Sequence, residues 1–379
     1  MQGVRGDLVV VGGGVIGLAV GWWVARHGRR RVTVVDPDAG EAASWVAAGM
    51  LAPVTESTFG EQALLRLNLL AAARFPGFAA ELEDAAGVEV GLRREGTLSV
   101  AYDAGDRAVL ARMAALRRSY GLTTDELDAG ACRRLEPLLS ADVQGGVFAA
   151  GDWSVDNRRY LAALRAAADA AGARTVAGRV ARVDVADGQV AGVTLDDGRA
   201  ERADAVVLAA GAWTGAIGGV PPQVRVRPVR GQLLRLRLPA GMPPVLGRTV
   251  RATVRGNDVY LVPRADGEVV VGATSDERGF DRTVTAGAVH DLLRDAMAVV
   301  PVLAELELAE TCVGLRPGTA DNGPVVAATG VGGLIVATGH YRNGVLQSAA
   351  TAEAVAALLD GDPPAPEWAP FAGRAEVLR

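Results

Sequence analysis

The stretch that most restricts the fold of this chain is 7–36, because it combines two apolar β-branched runs with a glycine-rich turn. The run at 8–11 predicts a buried strand, and the glycines at 12–14 predict a tight turn before an apolar helical pattern that continues to residue 25. A second β-branched run occupies 31–35. A strand, a glycine turn, a helix and a strand in this order are typical of a βαβ unit, so the sequence predicts an α/β fold built on a parallel sheet.

The glycines and the terminal acid of this unit are the residue types that dinucleotide binding requires. Gly12 permits the tight turn, Gly14 lets the backbone approach a pyrophosphate without a Cβ, and Gly17 lets the helix pack closely on the strand. The free N–H groups at the start of the helix would face the diphosphate. Asp36 ends the second strand about 20 residues after the turn, where such units carry the acid that accepts hydrogen bonds from a ribose.

An alternative interpretation of 8–25 is a signal peptide or a membrane anchor, because the stretch carries no charge. Its length is marginal for a membrane span of about 20 residues, and glycines interrupt it. The basic region that precedes a signal sequence is reduced to Arg5, and Asp7 lies directly before the run. These features favour a buried strand and helix.

Composition limits the classes of function. The chain has 379 residues, half of them apolar, which is enough for two domains or one large domain with an insertion. The formal net charge is −5 and no basic run extends beyond 29–31, so we expect small-molecule partners and neither a nucleic acid nor a membrane. Every basic residue is Arg, and the absence of Lys excludes Schiff-base chemistry and a P-loop lysine. Cys132 and Cys312 lack disulfide or metal-ligand spacing, so we expect no metal site and a cytoplasmic location.

Small residues dominate 42–49, and Met50 follows them. Such a stretch lets backbone lie close to a flat ligand, and a methionine packs softly on a ring. On composition alone, however, an ordinary buried helix start is the favoured interpretation.

The middle of the chain predicts two kinds of β-structure. Asp-Gly turns at 187–188 and 197–198 predict a β-meander whose last strand, 205–209, runs into Gly211. From 221 to 301 the pattern changes to longer alternating strands, which predict a second, antiparallel domain inserted into the first.

The end of the chain returns to the pattern of its beginning. A buried strand is predicted at 333–339, a polar turn at 340–344 and an apolar helix at 345–359. We therefore expect both termini to contribute to one nucleotide-binding domain.

Several motifs along the chain together carry a resemblance. The N-terminal fingerprint and the segments ASWVAAGML, VPR, VVGAT, GLRPGT and GHYRNG resemble the FAD-dependent amine oxidases of the D-amino-acid oxidase superfamily, and most closely its glycine oxidase branch, which serves thiamine biosynthesis. The resemblance covers nearly the whole chain in order. It implies a flavoprotein of the glutathione-reductase type, in which a Rossmann-like FAD-binding domain carries an inserted antiparallel-sheet substrate domain.

The resemblance also implies domain bounds and a reaction. FAD would be held noncovalently by 1–90, 150–220 and 310–365, the substrate domain would comprise 91–149 and 221–309, and 366–379 would be a tail. The implied reaction oxidises glycine, or a small amine such as sarcosine or D-alanine, to the imine while O2 is reduced to H2O2. The imine would supply thiazole formation or hydrolyse to glyoxylate. Relatives of this type often form tetramers, so a homo-oligomer is expected.

The resemblance places Arg316, Arg342 and Tyr260 over the flavin, with Arg316 as the carboxylate clamp. A guanidinium binds a carboxylate bidentately, which suits an amino-acid substrate. From its strand pattern alone, Tyr260 would be a core residue. Met50 and Ser275 are expected at the substrate pocket, and Ser275 leaves the size of the pocket open. The residues that the resemblance assigns to FAD are Gly12, Gly14, Val15, Ile16, Gly17, Asp36, Ser44, Ala48, Gly49, Met50, Val180, Gly211, His340, Tyr341, Arg342, Asn343, Gly344, Val345 and Leu346.

Two local questions concern His340 and Cys312. His340 is expected to position its loop or contact FAD, although a satisfied, partly buried histidine fits equally well. Cys312 lies near the place where sarcosine oxidases bond their flavin covalently, but a buried structural cysteine is the favoured interpretation. Those relatives also use a lysine for the reaction with oxygen, which this chain lacks.

Two other functions stay open at this point. A dehydrogenase of related fold would pass electrons to a quinone or protein acceptor. A nucleotide-sensing binding protein would catalyse no turnover, and the paired arginines of the predicted site argue against it.

Overall fold

The structure is a computed structural model that describes residues 6–28, 30–37, 42–220 and 224–373. Its α-helices are α1 (Val15–Arg26), α2 (Ala43–Val46), α3 (Gln62–Ala86), α4 (Ala104–Ser119), α5 (Ala129–Leu135), α6 (Asn157–Ala170), α7 (Ala286–Val299), α8 (Gly344–Asp360) and α9 (Ala369–Ala372). Its strands are β1 (Asp7–Val11), β2 (Arg31–Asp36), β3 (Met50–Leu51), β4 (Thr97–Ala101), β5 (Asp125–Asp128), β6 (Gly145–Ala149), β7 (Trp153–Ser154), β8 (Arg174–Ala177), β9 (Val180–Ala186), β10 (Gln189–Leu195), β11 (Ala200–Arg202), β12 (Ala205–Leu208), β13 (Arg227–Arg237), β14 (Thr249–Val254), β15 (Asn257–Pro263), β16 (Val269–Gly272), β17 (Glu307–Gly318), β18 (Val325–Ala328) and β19 (Leu334–Thr338). Short 3-10 helices cover Gly211–Ala216, Pro301–Glu305 and Pro366–Trp368.

A six-stranded sheet with the spatial order β18-β19-β12-β1-β2-β8 forms the first part of the fold. Its neighbouring strands are parallel, except that β18 is antiparallel to β19. Every residue of β12 and β19 is buried, as expected for apolar strands covered on both faces. The predicted βαβ unit is confirmed, since α1 connects β1 to its parallel neighbour β2.

Strands are added to this sheet on both sides of β1. Through α1 the chain reaches β2 and β8 on one side, and it later returns to place β12 and β19 on the other. Loops that follow β1 and β12 therefore diverge and leave a crevice at the carboxyl ends of these strands, which is where open α/β sheets bind ligands.

Both faces of the six-stranded sheet are covered. Helices α1, α3, α6 and α8 pack on one face through a large apolar core. On the other face lies a three-stranded antiparallel sheet of β9, β10 and β11. The predicted meander is thus present, but the prediction that 205–209 forms its last strand is wrong. The third strand is the short polar β11, and the fully buried β12 joins the parallel sheet.

An eight-stranded sheet forms the second part, with the order β17-β13-β16-β15-β14-β4-β6-β5. All its neighbouring strands are antiparallel except β4 and β14. Strand β17 pairs with β13 from Arg227, opposite Gly318, to Arg237, opposite Glu307. The predicted domain boundary at 310 therefore falls inside a strand of this sheet.

The segment after α8 is not a loose tail where the structure describes it. Trp368 and Phe371 are 1% and 3% exposed and belong to the core that α1, α3, α6 and α8 share. The remainder of the predicted tail, 374–379, lies outside the described residues.

The apolar stretch that could have been an anchor forms β1 and the 12-residue helix α1. Across the described ranges, none of the helices combines the length and the apolar character that crossing a membrane requires.

Candidate active site

A cavity of about 470 Å³ lies where the two large sheets meet. Its walls come from the loops after β1, β2, β12 and β19, from 42–50, and from β13, β15 and β17. The predicted site residues that line it are Gly12, Gly14, Val15, Ile16, Asp36, Ser44, Ala48, Gly49, Met50, Val180, Gly211, Tyr260, Arg316, His340, Tyr341, Arg342, Gly344 and Val345. Gly17, Ser275, Asn343 and Leu346 were also predicted but are not among the lining residues.

One end of the cavity is formed by backbone, and we call 12–16 with Asp36 and Ser44 the glycine cradle. Gly12 has a φ of +108°, and a Cβ there would lie 2.5 Å from the carbonyl oxygen of Ala209. A Cβ on Gly17 would collide with the carbonyl oxygen of Gly12. Gly17 is thus required by packing of α1 on the preceding turn, as predicted, and not by closeness to a ligand.

The N-terminus of α1 lies open in the cradle. Gly14 at the N-cap has no side chain to cap the helix, and of the first-turn N–H groups that of Val15 donates to the hydroxyl of Ser44 at 3.0 Å. Asp36 ends β2 and accepts the Gly13 N–H at 2.6 Å. Uncapped helix N–H groups and the positive end of a helix dipole attract a diphosphate. These residues fit the diphosphate and ribose of a dinucleotide.

The stretch 42–50 forms a wall of the cavity. Composition alone favours an ordinary buried helix start, and that prediction is wrong here. The helix in this stretch, α2, has only four residues. Asn157 donates to the carbonyls of Ser44 and Trp45 at 2.9 and 2.8 Å, and Arg264 donates to that of Ala48 at 2.8 Å. Both side chains are buried, and burial lowers the pKa of Arg264 to about 10. Sequence reasoning missed both residues, which hold this wall in place.

The opposite part of the cavity carries Tyr260, Arg316 and Arg342, which we call the cationic end. Tyr260 lies opposite Gly272 in the β15–β16 ladder, and a Cβ on Gly272 would collide with the Tyr260 ring. A Cβ on Gly231 would likewise collide with the Arg316 guanidinium, which donates to the Thr274 carbonyl at 3.1 Å. Glycines on two neighbouring strands therefore make room for both side chains.

Tyr260 stays protonated at neutral pH. Burial raises the pKa of Tyr260, an effect that the charge of Arg316 opposes and that of Glu56 reinforces. A neutral phenol beside a guanidinium presents several hydrogen-bond donors, a combination that suits a carboxylate.

Glu56 is a lining residue that the sequence did not point to. It lies in the turn between β3 and α3, and Arg251 donates to its Oε1 at 2.6 Å. Burial raises the pKa of Glu56, but the charges of Arg251, Arg342 and Arg316 outweigh it and leave the pKa below the ordinary glutamate value. A carboxylate is therefore present among the cationic groups.

The loop 340–344 brings a second helix N-terminus to the cavity. Its first residue, His340, is buried, hydrogen-bonds Thr351 at 2.9 Å, and has a pKa that burial lowers to about 3. A neutral histidine at physiological pH positions the loop and carries no charge. Tyr341 has a φ of +47°, which is uncommon for a residue with a Cβ. Helix α8 then begins at Gly344 without a side-chain cap, so its positive dipole end lies at the cavity.

Cys312 and Ser275 lie outside the cavity lining. Cys312 is buried, its thiol donates to Glu310 at 3.0 Å, and burial, with the neighbouring carboxylate, raises its pKa to about 12. Val46 and Ala48 belong to the same apolar cluster as Cys312. Ser275 is exposed, and its hydroxyl lies 3.4 Å from that of Tyr341.

Comparisons with known proteins agree with this geometry. The model of the DAO family, described as FAD dependent oxidoreductase, matches residues 7–358. Glycine oxidase of Geobacillus kaustophilus is 36% identical over 372 residues, which covers 97% of this chain and 96% of the relative. The bifunctional protein ThiO/ThiG of Synechocystis sp. is 35% identical over 93% of this chain, which spans about half (51%) of that relative's length.

Solved structures are similar over nearly the whole chain. The crystal structure of glycine oxidase from Geobacillus kaustophilus superposes with a TM-score of 0.89 at 34% identity and covers 98% of both chains. That of iminodiacetate oxidase from Chelativorans sp. BNC1 gives a TM-score of 0.84 at 26% identity, covering 97% of this chain and 98% of the other. These matches confirm the predicted flavoprotein fold. The chain belongs to the DAO family of FAD-dependent oxidoreductases.

Proposed function

We propose that this chain oxidises glycine, or an amino acid of similar size, to the imine. The observation that carries the proposal is that one cavity joins the glycine cradle to the cationic end. FAD, when bound, supplies the acceptor for the hydride that leaves the substrate Cα, and O2 then takes the electrons to give H2O2. The names of the relatives that match over nearly their full length support glycine as the substrate.

The chain's own residues would hold the cofactor without a covalent bond. The open N-terminus of α1 would bind the diphosphate, and Asp36 would accept hydrogen bonds from the ribose. The walls at 42–50 and 340–345 would enclose the ring system. Cys312 is not a lining residue and its thiol is protonated, which supports noncovalent binding.

The cationic end would bind and orient the substrate. Arg316 would hold the carboxylate bidentately, and Tyr260 would donate a hydrogen bond to the same group. Negative charge that develops near the N-terminus of α8 would be stabilised by the positive end of its dipole, at Gly344, whereas the Asn343 N–H already donates to the His340 carbonyl at 2.8 Å. No side-chain base is needed for hydride transfer from a neutral amine.

The test is an oxygen-electrode and peroxide assay of the purified FAD-loaded protein with glycine, sarcosine, D-alanine, D-proline and L-proline, with free FAD as the control. Peroxide with glycine at a rate at least equal to the others supports the proposal. Anaerobic bleaching of the flavin by an amine, together with dye reduction but little oxygen uptake, would instead identify an acceptor-linked dehydrogenase. A bound flavin that no amine bleaches would identify a binding protein without turnover.

The cellular setting is part of the proposal. We infer a cytoplasmic protein from its cysteine usage, and an imine product that thiazole formation consumes or water converts to glyoxylate. We also infer a homo-oligomer, with a tetramer as the expected form. Light scattering coupled to size-exclusion chromatography measures the oligomeric state.

A further inference from the structure

Glu56 is an acidic residue that shares the cavity wall with the cationic end. Arg251, which donates to Glu56 at 2.6 Å, lies directly opposite Tyr260 in the β14–β15 ladder, so Glu56 stands beside that part of the cavity. The charges of Arg316 and Arg342 lower the pKa of Glu56 in keeping with this placement. Asp36 and Asp196 also line the cavity, but Asp36 belongs to the glycine cradle and Asp196 follows β10. A carboxylate therefore stands with the groups that suit a substrate carboxylate.

The turn that carries Glu56 is fixed by buried charged residues. Asp152, which is 0% exposed, accepts the N–H groups of Val54 and Thr55 at 2.8 and 2.7 Å. Arg117 is also buried and donates to the Thr55 carbonyl at 2.9 Å. The Glu56 N–H itself donates to the Ala52 carbonyl at 3.1 Å. Glu56 is thus held in place before any substrate binds, which lowers the cost of using it in binding.

The hydrogen bond from Arg251 occupies only one carboxylate oxygen. It goes to Oε1, and within the described part of the chain Oε2 makes no hydrogen bond. A carboxylate offers about four acceptor positions, so one guanidinium contact leaves most of that capacity unused. Arg251 also explains why this largely buried carboxylate, 12% exposed, stays ionised.

We propose that Glu56 binds the ammonium group of the amino-acid substrate while Arg316 and Tyr260 hold its carboxylate. The inference rests on the proposed function and adds the group that recognises the amine. A zwitterion is then attracted both by Arg316, through its carboxylate, and by Glu56, through its ammonium group. A carboxylate without an amine is attracted by Arg316 but repelled by Glu56. Glu56 is a binding residue in this account: the ammonium proton passes to water before the hydride leaves, and the neutral amine that reacts keeps its hydrogen bond to the carboxylate.

The first test compares Glu56→Gln with the wild-type holoenzyme in two kinds of binding. Affinity for glycine comes from the concentration dependence of anaerobic flavin reduction, and affinity for acetate, which has no amine, from titration of the flavin absorbance. We expect glycine to bind about 10- to 100-fold more weakly, the effect of losing one charge-assisted hydrogen bond. Acetate should bind equally well or more tightly, because a negative charge has been removed.

A matched control and a rescue separate binding from structure. Glu61→Gln makes the same change five residues along, where the side chain accepts a hydrogen bond from Asn322 at 2.7 Å and does not line the cavity, and it should leave both affinities unchanged. Glu56→Asp keeps the charge and should restore part of the glycine affinity. Flavin content and the melting temperature report whether each variant folds.

A double variant distinguishes this role from simple neutralisation of Arg251. If Glu56 only balances that charge, Glu56→Gln combined with Arg251→Gln will regain the wild-type glycine affinity, and the inference is wrong. Equal losses for glycine and acetate in Glu56→Gln would also overturn it. A wild-type flavin that no amino acid reduces, while acetate still binds, would instead refute the proposed function.

Discussion

The two ends of the cavity are built in different ways. The glycine cradle comes largely from one contiguous stretch, 12–16, and acts through backbone N–H groups. The cationic end is assembled from Tyr260 on β15, Arg316 on β17 and Arg342 after β19. The cradle therefore depends on close backbone packing, and the cationic end on side chains that tertiary structure brings together. Substitutions should separate cofactor binding from substrate binding.

The largest effect is expected at the cationic end, from Arg316→Met. We expect kcat/KM for glycine to fall by about two to three orders of magnitude, because truncating one partner of a desolvated charge pair costs ~2–5 kcal/mol. FAD affinity should be unchanged. Arg316→Lys keeps the charge but loses the bidentate geometry, so its kcat/KM should lie between that of the wild-type protein and that of Arg316→Met.

The control for Arg316 is Arg237→Met. Arg237 is exposed and pairs with Glu307 across the same two strands, β13 and β17. Steady-state kinetics and a fluorescence titration of the apoprotein with FAD measure the two quantities. If Arg316→Met weakens FAD binding as much as it lowers kcat/KM, the two ends of the cavity are not separable.

At the cradle, Gly17→Ala should destabilise the fold and weaken FAD binding together. The new Cβ would collide with the Gly12 carbonyl oxygen, and overpacking of this kind costs about 1–3 kcal/mol. Urea unfolding of the apoprotein gives the loss of stability, and an FAD titration gives the loss of affinity.

Gly77→Ala is the matched control for that change. Gly77 lies in α3 and is exposed, and a Cβ added there would have no neighbouring atom within 4 Å, so alanine should stabilise the helix by about 0.5–1 kcal/mol. An equal response of the two variants would mean that packing at Gly17 does not constrain the cradle.

The turn beneath the cationic end should make stability depend on pH. Burial raises the pKa of Asp152 to about 6, against the hydrogen bonds from Val54 and Thr55, whereas an unfolded chain has an aspartate pKa of about 4. Between these values the native state holds a proton that the unfolded state has lost. The contribution of Asp152 to the unfolding free energy therefore decreases as pH rises from 4 to 6, by about 3 kcal/mol.

Asp152→Asn removes this titration. Urea unfolding of both proteins at several pH values should show the wild-type curve falling relative to that of the variant across pH 4–6. Curves that stay parallel over this window would show that Asp152 titrates at its ordinary pKa. The difference between the two proteins is used because Glu136 and Glu353 also have raised pKa values.

What the sequence could predict follows the same division. The cradle was predicted because its residues are close together in the chain and each glycine has a local steric reason. Tyr260 was identified only through resemblance, since strand periodicity makes it a core residue. Glu56, Asn157 and Arg264 were missed because their partners are far away in the chain. Arg251 lies 195 residues from Glu56, Ser44 lies 113 residues from Asn157, and Ala48 lies 216 residues from Arg264.

Two errors in the fold have equally physical causes. The short polar strand β11 has no apolar alternation that would predict a strand. The sequence therefore assigns the third strand of the meander to the next apolar run, which instead forms the buried parallel strand β12. The C-terminal segment reads as a proline-rich tail, and only the folded structure brings Trp368 against the helical core.

The smallest effect is expected for Cys312→Ala, which tests whether this buried cysteine on β17 bonds the cofactor. Cys312, Gly314 and Arg316 alternate along β17, yet Gly314 and Arg316 line the cavity and Cys312 does not, since Cys312 is buried in an apolar cluster that includes Val46 and Ala48. Acid precipitation should release all flavin from the wild-type protein and from the variant alike. The variant should lose about 1 kcal/mol of stability through the small cavity left by the thiol. Flavin that stays with the precipitated wild-type protein but not with the variant would show a covalent bond, and the wall at 42–50 would then have to move away from β17 when FAD binds.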